Sequence, residues 1–337
     1  MFTSKKYLYL LFIPLISFSC IKEEIANPPS TPQKNFDLLW QLVDENYCFF
    51  EYKNIDWNAV KAKYAPRVTN NTGEQELFNI CAAMLNELQD GHVNLYSYFN
   101  VSRYWDFFLD YPQNFNSTLV ERRYLGNNHI IIGGLQASNI NGIGYLRYGD
   151  FTNTITPADV RNAINQLGNI QGLIIDVRDN GGGVRDYAKI FASCFFAERT
   201  LVGYTRYKEG KGHADYSKYF SHYVDPEGAV AFGGNIVILT NRLCYSATNE
   251  FVSMMKCLPN VTLIGDITGG GGGIPFSAEL YNGWQLRLSR DPMFDANKHH
   301  IENGIEPHIF VDMNKDDEYN NIDSIIEYAV DFLKSVL

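Results

Sequence analysis

The segment that most constrains the fold is Gly-Leu-Ile-Ile-Asp-Val-Arg-Asp-Asn-Gly-Gly-Gly at residues 172–183. It reads as a buried strand that empties into three glycines just before a helix. Similar short β-type runs occur at Ile130–Ile132, 143–147, 235–239 and 261–264, and helical spacing follows at 157–167, 186–196 and 247–256. Strands alternating with helices predict an α/β layered core. Helical patterns at 36–45, Trp57–Tyr64 and 74–88 predict a small helical subdomain ahead of that core. A last amphipathic helix is expected at 322–337.

Composition narrows the functional classes. With 337 residues, 45% of them hydrophobic and 20% charged, the chain has enough apolar material for a sizeable core and too little charge for disorder. Its 38 acids against 28 bases give a net charge of -10, so nucleic acid has no basic surplus to bind. The length suits one main domain with an appendage.

The N-terminus reads as an address. Lys5 and Lys6 precede a mostly apolar stretch from Tyr7 to Phe18, interrupted by Pro14, whereas a membrane span needs about 20 apolar residues. Residues 1–19 are therefore expected to be a signal peptide. Cys20 resembles the lipid-modified cysteine of bacterial lipoproteins, although Ser17 and Phe18 depart from the usual lipobox. Ile21-Lys22-Glu23-Glu24 looks like the signal that sends some lipoproteins of Bacteroidetes-type bacteria to the cell surface; a plain secretory peptide is the alternative. Residues 20–33 make a linker. Cys48, Cys81, Cys194, Cys244 and Cys257 match no zinc spacing, and no disulfide framework is expected from five cysteines.

Three clusters carry chemistry. The 181–183 glycine turn, followed by a helix N-terminus, suits an anion or oxyanion, but it lacks a dinucleotide GxGxxG pattern. Ser246 lies between a strand and the helix that starts at Ala247, where a serine serves either as helix cap or as an exposed hydroxyl beside a free N–H. Asp90-Gly91-His92 is either a capping turn with an incidental histidine or a site for a base. His299-His300 and Cys244 suggest a surface loop and a buried thiol, and glycines 269–273 a mobile loop. No cofactor and no metal are implied.

Together, in this order, DGH, DVRDNGGG, NRLCYSATNE and IGDITGGGGG resemble the C-terminal processing and tricorn-like serine peptidases (tail-specific proteases) over roughly residues 34–312. The resemblance implies a crotonase-like (ClpP/crotonase) α/β core with an N-terminal helical bundle. It also implies Ser246 as nucleophile and an oxyanion hole of Ala247 N–H and a glycine N–H, most naturally Gly182. In the processing branch a lysine 25 residues after the serine is the base, but Gly271 occupies that position here. His92 matches the histidine of the tricorn-like branch. Glu302 matches that branch's orienting acid, with Glu306 as competitor, and Asp90, Asn180 and Asn249 are supporting candidates. Only residues 93–141 stand where many relatives carry a PDZ module, too few for that domain. The stretch is aromatic-rich, with Tyr96, Tyr98, Phe99, Tyr104, Trp105, Phe107, Phe108 and Tyr111, and residues 142–337 form the expected core.

The expected function is thus a serine endopeptidase of the cell envelope, acting on peptides or proteins and attached to the membrane through Cys20. A non-catalytic ligand- or peptide-binding lipoprotein on the same scaffold is the alternative. An acyl-CoA enzyme of the crotonase type is weaker, because DGH and the Ser246 segment have no role in that chemistry.

Overall fold

The computed structural model describes residues 30–228 and 230–336. The expected signal peptide, Cys20 with its expected lipid, and most of the linker lie outside the described residues. Two sheets organise the molecule.

The first sheet has seven strands in the order Ile309–Phe310, Val261–Gly265, Ile236–Thr240, Gly172–Asp176, Ile143–Tyr148, Leu135–Ile140, Ile130–Ile132. The first five run parallel and the last two are added antiparallel. Its central strands, Gly172–Asp176 and Ile236–Thr240, are buried at every position, as strands covered on both faces must be. Alternate side chains serve opposite layers. Leu173, Ile175, Ile236 and Ile238 pack with Val160, Phe191 and Phe251 from the helices Pro157–Gln166, Arg185–Ser193 and Ala247–Met255. Ile174, Val237 and Leu239 face the helix Ser324–Ser335. That helix is capped by Asp323, which also pairs at 3.0 Å with the buried Arg178, itself bound to Asp176 at 2.6 Å. The acids and arginine of the DVRD segment are therefore largely structural.

The second sheet is antiparallel and has no counterpart in the sequence-based expectations. Its order is Val101–Arg103, Asn94–Tyr96, Gln285–Asp295, Thr200–Thr205, Phe220–Val224, and Gly273–Glu279 also pairs with Gln285–Asp295. Leu95, Leu286 and Leu288 point inward against Leu39, Val43, Phe78 and Met84 of the helices Pro32–Asn46 and Glu74–Asn86. The helical segment is thus one wall of a second core.

The stretch 93–141 is shared between the sheets: Asn94–Arg103 begins the second and Ile130–Ile140 ends the first. Of its aromatics, Phe99 packs on Phe78 and Trp284, and Tyr98, Trp105 and Tyr111 remain exposed. The five described cysteines are free, with Cys81, Cys194 and Cys244 buried and Cys48 and Cys257 half-buried.

Candidate active site

Ser246 sits where the parallel sheet turns into the helix Ala247–Met255. Its φ of 59° and ψ of -119° are a conformation that side-chain-bearing residues rarely adopt, and its hydroxyl does not cap the helix. The turn is over-determined by its neighbours: Tyr245 N–H donates to Asn180 O (3.2 Å), Ser246 N–H to Gly270 O (2.9 Å) and Gly269 N–H to Cys244 O (2.9 Å). Cys244 donates to Val177 O at 3.0 Å, and burial raises its thiol pKa, so it is no rival nucleophile.

Asn180 ties the glycine turn to this elbow. Its Oδ1 accepts from Gly182 N–H (2.9 Å) and from Thr248 Oγ1 (2.6 Å), and its Nδ2 donates to Tyr148 O (2.9 Å). Gly182, at φ +97°, lies so close that a Cβ there would stand 2.6 Å from Tyr245 O and 2.9 Å from Ala247 N. This corrects its expected role. Its N–H is already spent on Asn180, so its contribution is to permit close approach, and the N–H groups of Ala247, Gly181 and Gly183 have no partner among the described residues.

The histidine arrives from the other sheet. Asp90 Oδ1 accepts from His92 N–H at 2.7 Å, closing a tight turn that feeds the strand Asn94–Tyr96. Gly91 is required there, because a Cβ would fall 2.9 Å from both Phe107 and the Tyr245 hydroxyl. His92 Nε2 lies 3.0 Å from Ser246 Oγ, across 154 residues of sequence. Its ring stands edge-on to Tyr245 (4.9 Å between centroids), and Tyr245 is stacked on Phe107 (4.5 Å). Among the described residues, the buried His92 Nδ1 has no hydrogen-bond partner.

Glu302 corrects a second expectation. It is buried beside the site, but its oxygens are held by Lys53 Nζ (2.7 Å) and Gly272 N–H (2.8 Å), and it makes no hydrogen bond to the imidazole. Lys53 also donates to the carbonyls of Leu88 and Gln89, at 3.3 and 3.0 Å, so one buried ammonium joins the acid to the turn that carries His92. Glu306 lies elsewhere: its side chain is exposed and its carbonyl accepts from Lys256 Nζ at 2.9 Å. Asn249 braces the Glu302 loop, donating to Ile301 O (2.8 Å) and accepting from Thr268 Oγ1 (2.6 Å).

The glycine run 269–273 is also different from expectation. It is packed ribbon rather than mobile loop: Gly271 N–H donates to Glu302 O (3.0 Å), and Gly272 O accepts from Met293 N–H (2.7 Å). Gly271 has φ +80°, and a Cβ there would strike the Tyr245 ring at 2.6 Å. A lysine has no room at that position.

Charge around the pair is unevenly matched. Burial draws the His92 pKa down to about 4; Asp90 opposes this, and Arg287 and Arg103 reinforce it. Burial, with Asp90 adding repulsion, raises Glu302 to about 7 against the pull of Lys53 and Gly272 N–H. For Asp90, burial raises the pKa but Lys53 and His92 outweigh it, so the net shift is downward. The imidazole is therefore neutral at pH 7 and able to take a proton from Ser246. A cleft of about 310 Å³ lined by Gln89, Gly91, Tyr104, Phe107, Arg242 and Asn303 opens beside Tyr245. Neither this cleft nor a roomier cavity of about 680 Å³, lined by Lys256, His299, His300 and His308, is lined by Ser246 or His92 themselves.

Sequence reasoning missed Lys53, which lies in a helical-subdomain segment with no motif, and the clasp of Phe107 on Tyr245. Among the described residues, no helix is long and apolar enough to cross a membrane.

Comparison with known proteins places this arrangement. Residues 142–311 match the model of peptidase family S41, and residues 28–86 match that of the tricorn protease C1 domain. A crystal structure of a protein from Parabacteroides merdae ATCC 43184, assigned as a peptidase, is 43% identical, covering 90% of this chain and 97% of its own, with a TM-score of 0.87. The chain belongs to peptidase family S41. Mature CPAF complexed with lactacystin shares the fold at 13% identity (TM-score 0.68; 91% of this chain and 98% of that one). The photosystem II D1 C-terminal processing protease does so at 14% identity (TM-score 0.51; 88% and 97%).

Proposed function

We propose that the protein is a serine endopeptidase in which Ser246 is the nucleophile and His92 the base, on a crotonase-like core. The observation that carries this reading is the 3.0 Å approach of His92 Nε2 to Ser246 Oγ. Ser246 Oγ attacks a peptide carbonyl while His92 takes its proton, then returns it to the leaving amine. The oxyanion is received by Ala247 N–H together with an N–H of Gly181 or Gly183. Asp90 supplies the negative potential that favours the imidazolium as it forms, against the opposing charges of Arg287 and Arg103. Water hydrolyses the acyl-enzyme with His92 again as base.

The rival reading, a non-catalytic binding lipoprotein, called for a serine out of reach of any base beside an apolar cleft. Tyr104, Phe107 and Tyr111 do line the cleft beside Tyr245, but the approach of His92 to the serine favours the peptidase instead. We further propose that the protein is exported and anchored by lipid on Cys20, at the outer membrane or cell surface, where it meets peptide or protein substrates. Reaction of the signal-less protein with a fluorophosphonate tests the mechanism. Labelling of wild type, abolished in both Ser246→Ala and His92→Ala, is expected; labelling that survives in Ser246→Ala would overturn it.

A further inference from the structure

Three adjacent strands of the antiparallel sheet place a pair of arginines beside the base. Asn94 is paired with Arg103 on one neighbour and with Arg287 on the other, so the three side chains form one row on one face. Each arginine stands about 5 Å from Asn94 at Cβ, so the two are about 10 Å apart across the middle strand, a gap their long side chains can close on a single small anion. Arg103 Nε donates to Gly91 O (2.9 Å), the carbonyl of the peptide that leads into His92. Its guanidinium lies over Trp105, 4.3 Å from the ring centroid. Arg287 Nη1 donates weakly to Asn94 Oδ1, at 3.3 Å.

These contacts orient the two forks but do not neutralise them. Among the described residues, neither arginine has a carboxylate within salt-bridge distance, although acids outnumber bases in the chain by 38 to 28. Arg185, Arg178 and Arg242 each have a carboxylate within 3.0 Å. The two like charges flank one strand and repel, and both side chains are half-buried, which adds a desolvation cost. Burial and the proximity of Arg103 hold the Arg287 pKa below its usual value. A carboxylate from outside would relieve both costs and would meet two planar forks suited to bidentate hydrogen bonds.

We propose that Arg103 and Arg287 form a carboxylate-binding subsite next to the Ser246–His92 pair, selecting peptides that carry a carboxylate close to the scissile bond. The proposal rests on the peptidase reading for its meaning but not for its test. The same chemistry is offered by an acidic side chain and by a free chain terminus. Occupation of the subsite also changes the base, because an anion there offsets two cations that disfavour protonated His92.

The test uses fluorescently labelled hexapeptides binding to Ser246→Ala protein, which removes turnover from the measurement. Peptides with one Glu at successive positions are compared with their Gln counterparts, each as free acid and as C-terminal amide. At least tenfold tighter binding of carboxylate-bearing peptides is expected, weakened by salt and lost in Arg103→Gln and Arg287→Gln. Arg287→Lys, which keeps the charge but not the fork, is expected to retain part of it. Loss of affinity on amidation alone identifies the terminus as the ligand, and loss on Glu→Gln alone the side chain. Equal binding of charged and neutral peptides, or a preference that survives both substitutions in protein of unchanged circular dichroism, overturns the proposal. Absence of fluorophosphonate labelling in wild type would overturn the peptidase reading while leaving this binding result to stand or fall separately.

Discussion

Ser246 and His92 belong to sheets built in opposite ways. The serine leaves a parallel sheet whose central strands are buried throughout, through an elbow held by hydrogen bonds on both flanks. The histidine enters an antiparallel sheet at a short turn, and its surroundings are electrostatic: one ammonium, two carboxylates and two arginines gather around one neutral imidazole. The serine is therefore placed by backbone geometry and the histidine by charge. Each region fails in its own way when disturbed, and that difference can be measured.

The largest effect is expected where the regions meet. Ser246→Ala and His92→Ala should each lower the rate of peptide hydrolysis by about 10⁴-fold or more, and the double variant should be no worse than Ser246→Ala, because groups that act as a unit are not additive. A double variant that lost the product of the two effects would mean that serine and histidine act independently, and would break the comparison.

Next in size is the charge cluster. Lys53→Met leaves Glu302 and the Leu88 and Gln89 carbonyls without their donor; the acid, its pKa already about 7, takes up a proton, so about 1–3 kcal/mol of destabilisation is expected. Adding Glu302→Gln should recover part of that loss. Urea denaturation of the two variants decides the point. A Lys53→Met protein as stable as wild type would show that the ammonium does not hold the base's turn in place.

A smaller shift is expected in the pH profile. His92 accepts a proton only when neutral, and its pKa is drawn down to about 4, so the labelling rate should rise with pH through about 4 and be level at neutrality. Arg287→Gln removes a cause that lowers the pKa, so the acid limb should move upward; Asp90→Asn removes one that raises it and should move the limb downward. A wild-type limb near the ordinary histidine value of about 6.5 would mean that the ring is far better solvated than its burial implies.

The two sheets were also unequally legible. Gly172–Asp176 and Ile236–Thr240 stand out because continuous apolar runs end in glycine or in a polar helix start, and both were anticipated to within one residue. The strand Gln285–Asp295 was missed. It carries Arg287, Arg290, Asp291 and Pro292, although the alternation Gln285-Leu286-Arg287-Leu288 is a period-2 signal that a strand search would register. Motif order brought out Ser246 and His92, which the fold joins. It misassigned the bonding of Glu302 and Gly182 because side-chain partners such as Lys53 and Asn180 are set by packing between distant segments. The glycine run 269–273 shows the same limit. Glycine signals freedom in a sequence, yet here it marks backbone packed against the Tyr245 ring and the Glu302 loop.

The smallest effect isolates the backbone term of the serine's region. At φ 59° and ψ -119°, any residue with a Cβ is strained by about 1–3 kcal/mol, whereas glycine adopts this geometry freely but gives up more conformational entropy on folding. Ser246→Gly should therefore be more stable than Ser246→Ala by about 1 kcal/mol, with both inactive. Alanine keeps the strain and leaves the buried His92 Nε2 without its partner, so it should be less stable than wild type by about 1–3 kcal/mol. If glycine gave no gain over alanine in thermal and urea unfolding, the elbow would not be storing strain. The serine would then be held, like the histidine, by its side-chain contacts rather than by its backbone.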